Sequence, residues 1–265
     1  MKLMCLQAMA IVYGYCHPQI GPFTDTLYIV GMLANTNFKA ERDRLLIFLD
    51  KLMLVRDNTK AFIDGGGVRL LVDLLTLSHL HVERAVTPLQ SNLIEAGDMK
   101  RQSEKEWYIT DAEKNKKGPF AIEELKDLFT SNKVNGETKC WAQGMDGWRP
   151  LKSIAQLKWT LMETGAAVIN ESEVANYCLS MLNRLCDMYP SRDVDGAVVR
   201  PLPRVKRMLS EPTCLPHLVN IFLTFDPLLV EKTSTLLFNI MQDNPVVPRV
   251  RPSFFSFYFP LVSPC

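Results

Sequence analysis

Trp107-Tyr108-Ile109 … Gly118-Pro119-Phe120 … Cys140-Trp141-Ala142-Gln143-Gly144-Met145-Asp146-Gly147-Trp148 gathers rings and glycines into one short stretch of the chain. On both sides the sequence is leucine-rich with a helical period. That contrast predicts a small α+β module set into a helical array. A module rich in aromatics and Gly-Pro is better suited to holding a peptide than to catalysis.

Within the module, Ser103 to Glu106 is a polar lead-in and Trp107-Tyr108-Ile109 reads as a strand. Asp111 to Lys117 reads as a charged turn. Ile122, Leu125, Leu128 and Phe129 mark an amphipathic helix, Thr138 to Ala142 a second strand, and Gly144 to Gly147 a tight turn. Leu151, Ile154, Leu157 and Leu161 lead back into helix.

Working outward, residues 1–97 read as helices. Leu45, Phe48, Leu49, Leu52 and Met53 recur at the spacing of one helix face. After Asn58 a short helix stops at Gly65-Gly66-Gly67, and another begins near Val68. The three glycines are a turn and not a phosphate cradle, since no Gly-Lys-Ser/Thr follows and no strand precedes. Residues 161–248 are helical again. Asn170 with Glu173 forms a capping box, followed by an apolar stripe of Val174, Tyr177, Cys178, Met181, Leu182, Leu185 and Met188. Asp226-Pro227 opens a further helix that carries Leu229, Leu236, Leu237, Ile240 and Met241.

The chain also echoes itself. Val68 to Leu75 is similar to Leu215 to Phe222, and Val82-Glu83-Arg84 to Val230-Glu231-Lys232. Repeated helix pairs predict an α-solenoid, in which each repeat buries its face on the next. The expected domains are helical repeats over 1–97, the module over 98–160, helical repeats over 161–248, and an atypical tail over 249–265. The tail's aromatics follow no helical period and its prolines forbid one, so it is expected to be poorly ordered and to come from altered splicing or reading frame.

Composition narrows the function. Thirty basic and 29 acidic residues leave a net charge of +1, which gives no whole-chain attraction to nucleic acid or acidic membranes. Lys116-Lys117 and Arg204 to Arg207 are too short for a nucleic-acid footprint. Seven cysteines, an odd number without a Cys-x-x-Cys pair, read as buried free thiols in a reducing compartment. Gln7 interrupts the apolar N-terminus, and Leu3, Leu6, Ala10 and Tyr13 fit a helix face better than a signal peptide. No apolar run is long enough for a transmembrane helix. The chain opens in mid-pattern without an N-cap, as a segment of a larger design would.

Chemistry is sought and not found. His17, His79, His81 and His217 have no acid or cysteine cluster at metal-ligand spacing, so no metal and no other cofactor is expected. There is no Gly-x-Ser-x-Gly, no placed cysteine nucleophile, and no supported carboxylate pair. The reading is a protein that is not an enzyme. Proline-rich peptides in polyproline II form dock on grooves of aromatic rings. Trp107, Tyr108, Phe120 and Trp141 are the expected binding surface, with Gly118, Pro119 and Trp148 beside them. The same rings also suit the core of so small a module, Trp148 above the others. A structural spacer with no ligand of its own therefore stays open as a second reading, as does a splice fragment without function.

The spacing of Trp107-Tyr108-Ile109, Gly118-Pro119-Phe120, Glu124-Leu125, Thr138, Trp141-Ala142, Gly144-Met145 and Gly147-Trp148 resembles the GYF-like (type two) domain. Phe62 to Leu75 resembles an armadillo repeat. Together they resemble the central part of the large endosomal DnaJ co-chaperones of subfamily C, proteins of receptor-mediated endocytosis. The resemblance implies a cytoplasmic scaffold, peripheral on endosome membranes, that serves endosome organisation and endosome-to-Golgi and recycling transport. It implies protein partners linked to sorting nexins and retromer and, for the full-length protein only, the seventy-kilodalton heat-shock chaperone. That family stimulates the chaperone through His-Pro-Asp, which is absent here, where His17-Pro18-Gln19 stands. Of the Gly-Tyr-Phe of true GYF domains, this chain carries Gly118-Pro119-Phe120.

Overall fold

The computed structural model describes residues 1–80, 107–111, 115–142, 145, 147–154, 157–224 and 226–245. The expectations for Val82 to Arg84, for His81, for the polar lead-in before Trp107 and for the 249–265 tail lie outside the described residues. So do those for Gly144 and Asp146 in the expected tight turn.

The fold is mainly α, a solenoid-type helical array carrying a small α+β module. The chain divides into two units, and the helices on either side of the module belong to one of them. That unit takes residues 1–36, 40–80 and 167–245 of the described chain. Its elements are α1 (Lys2–Ile20), α2 (Thr26–Asn35), α3 (Lys39–Leu52), α4 (Arg56–Asp64), α5 (Gly67–Leu75) and α6 (Leu77–Leu80). The sheet module follows with its own α7 (Ile122–Thr130), and the helical unit resumes with α8 (Glu171–Met188), α9 (Arg204–Leu209), α10 (Leu215–Asn220) and α11 (Pro227–Met241). α5 and α11 both pack on α8, which joins the two halves of the sequence in one interior.

Local chemistry explains where these helices begin and end. Leu45, Phe48, Leu49, Leu52 and Met53 are fully buried along α3, as their spacing predicts. α4 stops at Gly65, and Gly66 takes a φ of +79° that a side chain would resist. A Cβ on Gly67 would fall 2.4 Å from the Phe62 ring, so α4 and α5 meet only because that position is bare. Asn170 Oδ1 accepts the Glu173 amide at 2.8 Å, and Glu173 Oε2 accepts the Asn170 amide at 2.9 Å. Asp226 Oδ1 accepts the Leu228 and Leu229 amides at the start of α11, with Pro227 in the first turn.

Two buried polar clusters inside the unit are well partnered. Asn58 donates to Tyr13 Oη at 2.6 Å and to the Leu52 carbonyl at 2.9 Å, and its Oδ1 accepts the Phe23 amide at 2.7 Å. Asp43 accepts from Arg42 at 2.7 Å and takes the Val168 and Ile169 amides on its other oxygen. Removing one member of such a pair would strand a buried charge, which costs far more than the pair itself contributes.

The second unit holds residues 37–39 and 107–166 of the described chain. Its sheet runs in the order β2-β1-β3-β4, all antiparallel, with β1 at Trp107–Thr110, β2 at Lys116–Phe120, β3 at Lys139–Trp141 and β4 at Arg149–Pro150. Residues 37–39 pair with Thr164. Two expectations are corrected here. Lys116 and Lys117, read as the end of a charged turn, open a strand that continues through Gly118-Pro119-Phe120. Leu151, Ile154, Leu157 and Leu161 do not rejoin the helical array; they close the module's own core with Leu125. The backbone there is a 3₁₀ turn (Leu151–Ser153) and a π-helical turn (Lys158–Met162).

The cysteine expectation holds for Cys140, Cys178, Cys186 and Cys214, which are buried free thiols. Cys5 and Cys16, on α1, are exposed free thiols instead. Burial pushes the Cys140 and Cys186 thiols up to about 12, which leaves both unreactive at neutral pH. Among the described residues, no helix is long and apolar enough to cross a membrane, and no group of three His, Cys, Asp or Glu side chains is placed to hold a metal ion.

Candidate functional site

Alternation along β1 sorts the aromatics of the module onto two faces. Trp107 and Ile109 point into the core, while Tyr108 and Thr110 point away from it. On β3 Cys140 is buried in that core, so Lys139 and Trp141 share the opposite, outer face. Tyr108 stands directly across from Trp141, with ring centroids 5.6 Å apart. Trp148 extends the row at 6.4 Å from Trp141. Both pairings fall within the range at which tilted rings attract.

The strand edge at Gly118-Pro119 shapes this face. Trp107 pairs with Phe120 and Ile109 with Lys117, so two residues of β2 stand opposite Tyr108. This bulge brings the Gly118 backbone against Tyr108. A Cβ at Gly118 would meet the Trp107 carbonyl at 2.7 Å and the Tyr108 ring at 3.1 Å, and φ there is +128°. Glycine is therefore required twice over, by conformation and by space. The Gly118–Pro119 peptide bond is cis, and both residues are exposed.

The sequence-expected site residues divide accordingly. Trp107 is 5% exposed and packs with Leu125, Leu151 and Leu157. Phe120 is half-buried against the same cluster. Trp148, the ring most expected to serve the core, is 37% exposed. The rings that reach the surface together are Tyr108, Trp141 and Trp148, flanked by Gly118 and Pro119. Trp107 supports them from beneath as part of the core.

Two contributors went unnoticed in the sequence. Lys116 lays its ammonium 4.0 Å from the Tyr108 ring centroid and 5.4 Å from that of Trp141. Met145 holds Trp141 in place: its carbonyl accepts the indole N–H at 3.2 Å. The Trp141 N–H is thus already engaged, and any hydrogen bond to a docked peptide falls to Tyr108 Oη or to the Trp148 indole. Lys116 lies in the run Lys-Lys-Gly-Pro-Phe, which shows no strand alternation and whose charges read as a turn.

Such a surface can stack flat, rigid groups and offer them a few hydrogen bonds.

The family described as GYF domain 2 matches residues 107–157, which take in all four strands, α7 and most of the core cluster. The DnaJ homolog subfamily C GRV2 of Arabidopsis thaliana is 36% identical over 261 residues, which is 98% of this chain and 10% of that protein. No solved structure matches the chain. The expected resemblance therefore holds: nearly the whole chain corresponds to a segment of a much longer DnaJ subfamily C protein, of whose length it spans about a tenth, with a GYF-type module inside.

Proposed function

We propose that the chain acts as the corresponding segment of a DnaJ subfamily C protein does, as a non-catalytic protein-interaction element. Its working surface is the outer face of the module's sheet, where Tyr108, Trp141 and Trp148 hold a proline-rich peptide. The observation that carries the reading is the row of tilted rings on the outer face, Tyr108 and Trp141 half-buried and Trp148 exposed, left outside while aliphatic side chains close the core behind Trp107. In polyproline II form a peptide presents flat pyrrolidine rings with its ordering entropy largely lost already, which suits a rigid aromatic row.

The wider role follows from the resemblance. As part of an endosomal co-chaperone the chain would serve receptor-mediated endocytosis and endosome-to-Golgi and recycling transport, peripherally on endosome membranes. Its partners would be proteins of the sorting-nexin and retromer-linked machinery. Lacking His-Pro-Asp, this segment would not itself stimulate the heat-shock chaperone.

Fluorescence anisotropy with a labelled proline-rich peptide tests the site. Truncating a central ring of a stacking surface costs about 2 kcal/mol, roughly thirtyfold in affinity. Trp141→Ala should show that loss while keeping its helical circular dichroism. Undiminished binding by a folded Trp141→Ala variant would overturn the assignment. The alternative, a spacer whose rings serve only packing, draws support from the burial of Trp107 and the packing of half-buried Phe120 on the core, and predicts no binding at all.

A further inference from the structure

Beside the aromatic row on the outer face runs a second, basic row. Tyr108 stands opposite Trp141 and Ile109 opposite Cys140, so the next residue of β1, Thr110, comes opposite Lys139. On its other side Thr110 pairs with Lys116. Thr110 Oγ1 donates to the Lys139 carbonyl at 3.5 Å, consistent with that register. Lys116, Thr110 and Lys139 therefore form a row across three strands, one step along from Tyr108 and Trp141. Strand spacing sets the two lysine backbones about 10 Å apart, and the row about 7 Å from the rings.

The charges around this row are unequally matched. Lys117 pairs with Asp111 at 3.2 Å, and Lys152 pairs with Glu137. Among the described residues no carboxylate pairs with Lys116 or Lys139, and both are exposed. The Lys116 ammonium rests instead on the faces of Tyr108 and Trp141. A cation kept over rings where a ligand would arrive favours an anion there, because a ring face binds an ammonium less strongly than a charge-assisted hydrogen bond does.

We propose that the peptide taken by this face is anionic: a proline-rich segment on the rings, with an acidic side chain beside it that settles between Lys116 and Lys139. A polyproline II chain advances about 3.1 Å per residue, so the 7 Å offset places the acid about two residues from the stacked proline. The anion is a carboxylate of Asp or Glu, or a phosphorylated side chain. This inference rests on the peptide-binding reading above and names the charge of its ligand.

The test uses the whole chain and fluorescein-labelled pentaproline peptides that end in Ala-Glu, Ala-phosphoserine or Ala-Lys, together with the same three in reversed order. At low salt the acidic peptides should bind about tenfold more tightly than the lysine peptides, the equivalent of two exposed charge pairs. The gap should narrow as salt rises. Lys116→Gln/Lys139→Gln should bind the peptides alike, and Lys139→Glu should shift the preference toward lysine. A phosphoserine peptide well ahead of the glutamate one assigns the row to phosphorylated partners, and equality assigns it to carboxylates. Equal binding of all peptides by the unaltered chain, lost in Trp141→Ala, overturns the charge inference and leaves the aromatic site standing. Binding of none overturns both.

Discussion

Two trios of rings in this molecule make a controlled comparison. In the helical unit Tyr13, Phe23 and Phe48 meet edge to face, with centroids 5.5 to 6.3 Å apart. In the module Tyr108, Trp141 and Trp148 meet at 5.6 and 6.4 Å. The spacings are alike, but the surroundings differ. Phe48 is fully buried, and Tyr13 Oη donates to the Gly21 carbonyl while accepting from Asn58. Two rings of that trio are buried and Phe23 is half-buried, and its polar atom is used. The module's trio lies over a core that is already complete, and a lysine rests on it instead of a hydrophobic cover. Clustering of aromatics therefore does not mark a binding site. What marks it is a cluster left outside after packing is satisfied.

The largest expected effect sharpens this contrast. Phe48→Ala should cost about 3–5 kcal/mol of the helical unit's stability, because it opens a cavity where a fully buried ring packs. Urea unfolding followed by circular dichroism would measure it. In the module, neighbours on β1 should part company. Trp107→Ala should cost about 3–5 kcal/mol, as a buried ring does, and Tyr108→Ala about 1 kcal/mol. Equal losses would break the division of the sheet into a core face and a free face.

A smaller effect depends on pH. Burial, aided by the nearby Arg69 charge, holds His217 down to about 4 from its ordinary 6.5. The unfolded chain then binds a proton that the folded unit refuses, so the stability this contributes is full above pH 6.5 and is lost as pH falls toward 4. The loss should be on the order of 2 kcal/mol by pH 5. Thermal unfolding across that range should show it, and His217→Gln should flatten the profile. The smallest is a cap: Asn170→Ala should lower stability by about 1 kcal/mol, since α8 loses the bond to the Glu173 amide.

Much of the helical unit was legible because helix signals are local. The α3 face, the break at Gly65–Gly67, the Asn170 capping box and the Asp226-Pro227 start all depend on residues within one or two turns of each other. That the helices on either side of the module share one interior was not legible, because the packing of α5 and α11 on α8 is fixed by contacts distant in sequence. In the module, alternation shows that Trp107 and Tyr108 face opposite ways but not which of them faces in. That choice is made by Leu125, Leu151 and Leu157, which cover one side of the sheet. β2 was hidden because a strand at a sheet edge tolerates Lys-Lys and Gly-Pro, residues that read as a turn.

The central claim is that one face of this sheet is core and the other is a ligand surface, and the chain's four tryptophans report on both. Trp107 and Trp159 are buried, Trp141 is half-buried and Trp148 exposed. Titrating the nitrogen-15-labelled chain with a proline-rich peptide while following the indole N–H signals tests it directly. The account predicts that the Trp141 and Trp148 signals move in a saturable way while those of Trp107 and Trp159 stay in place. Movement of Trp107 with Trp141 and Trp148 unchanged, or no movement in a folded chain, would contradict it.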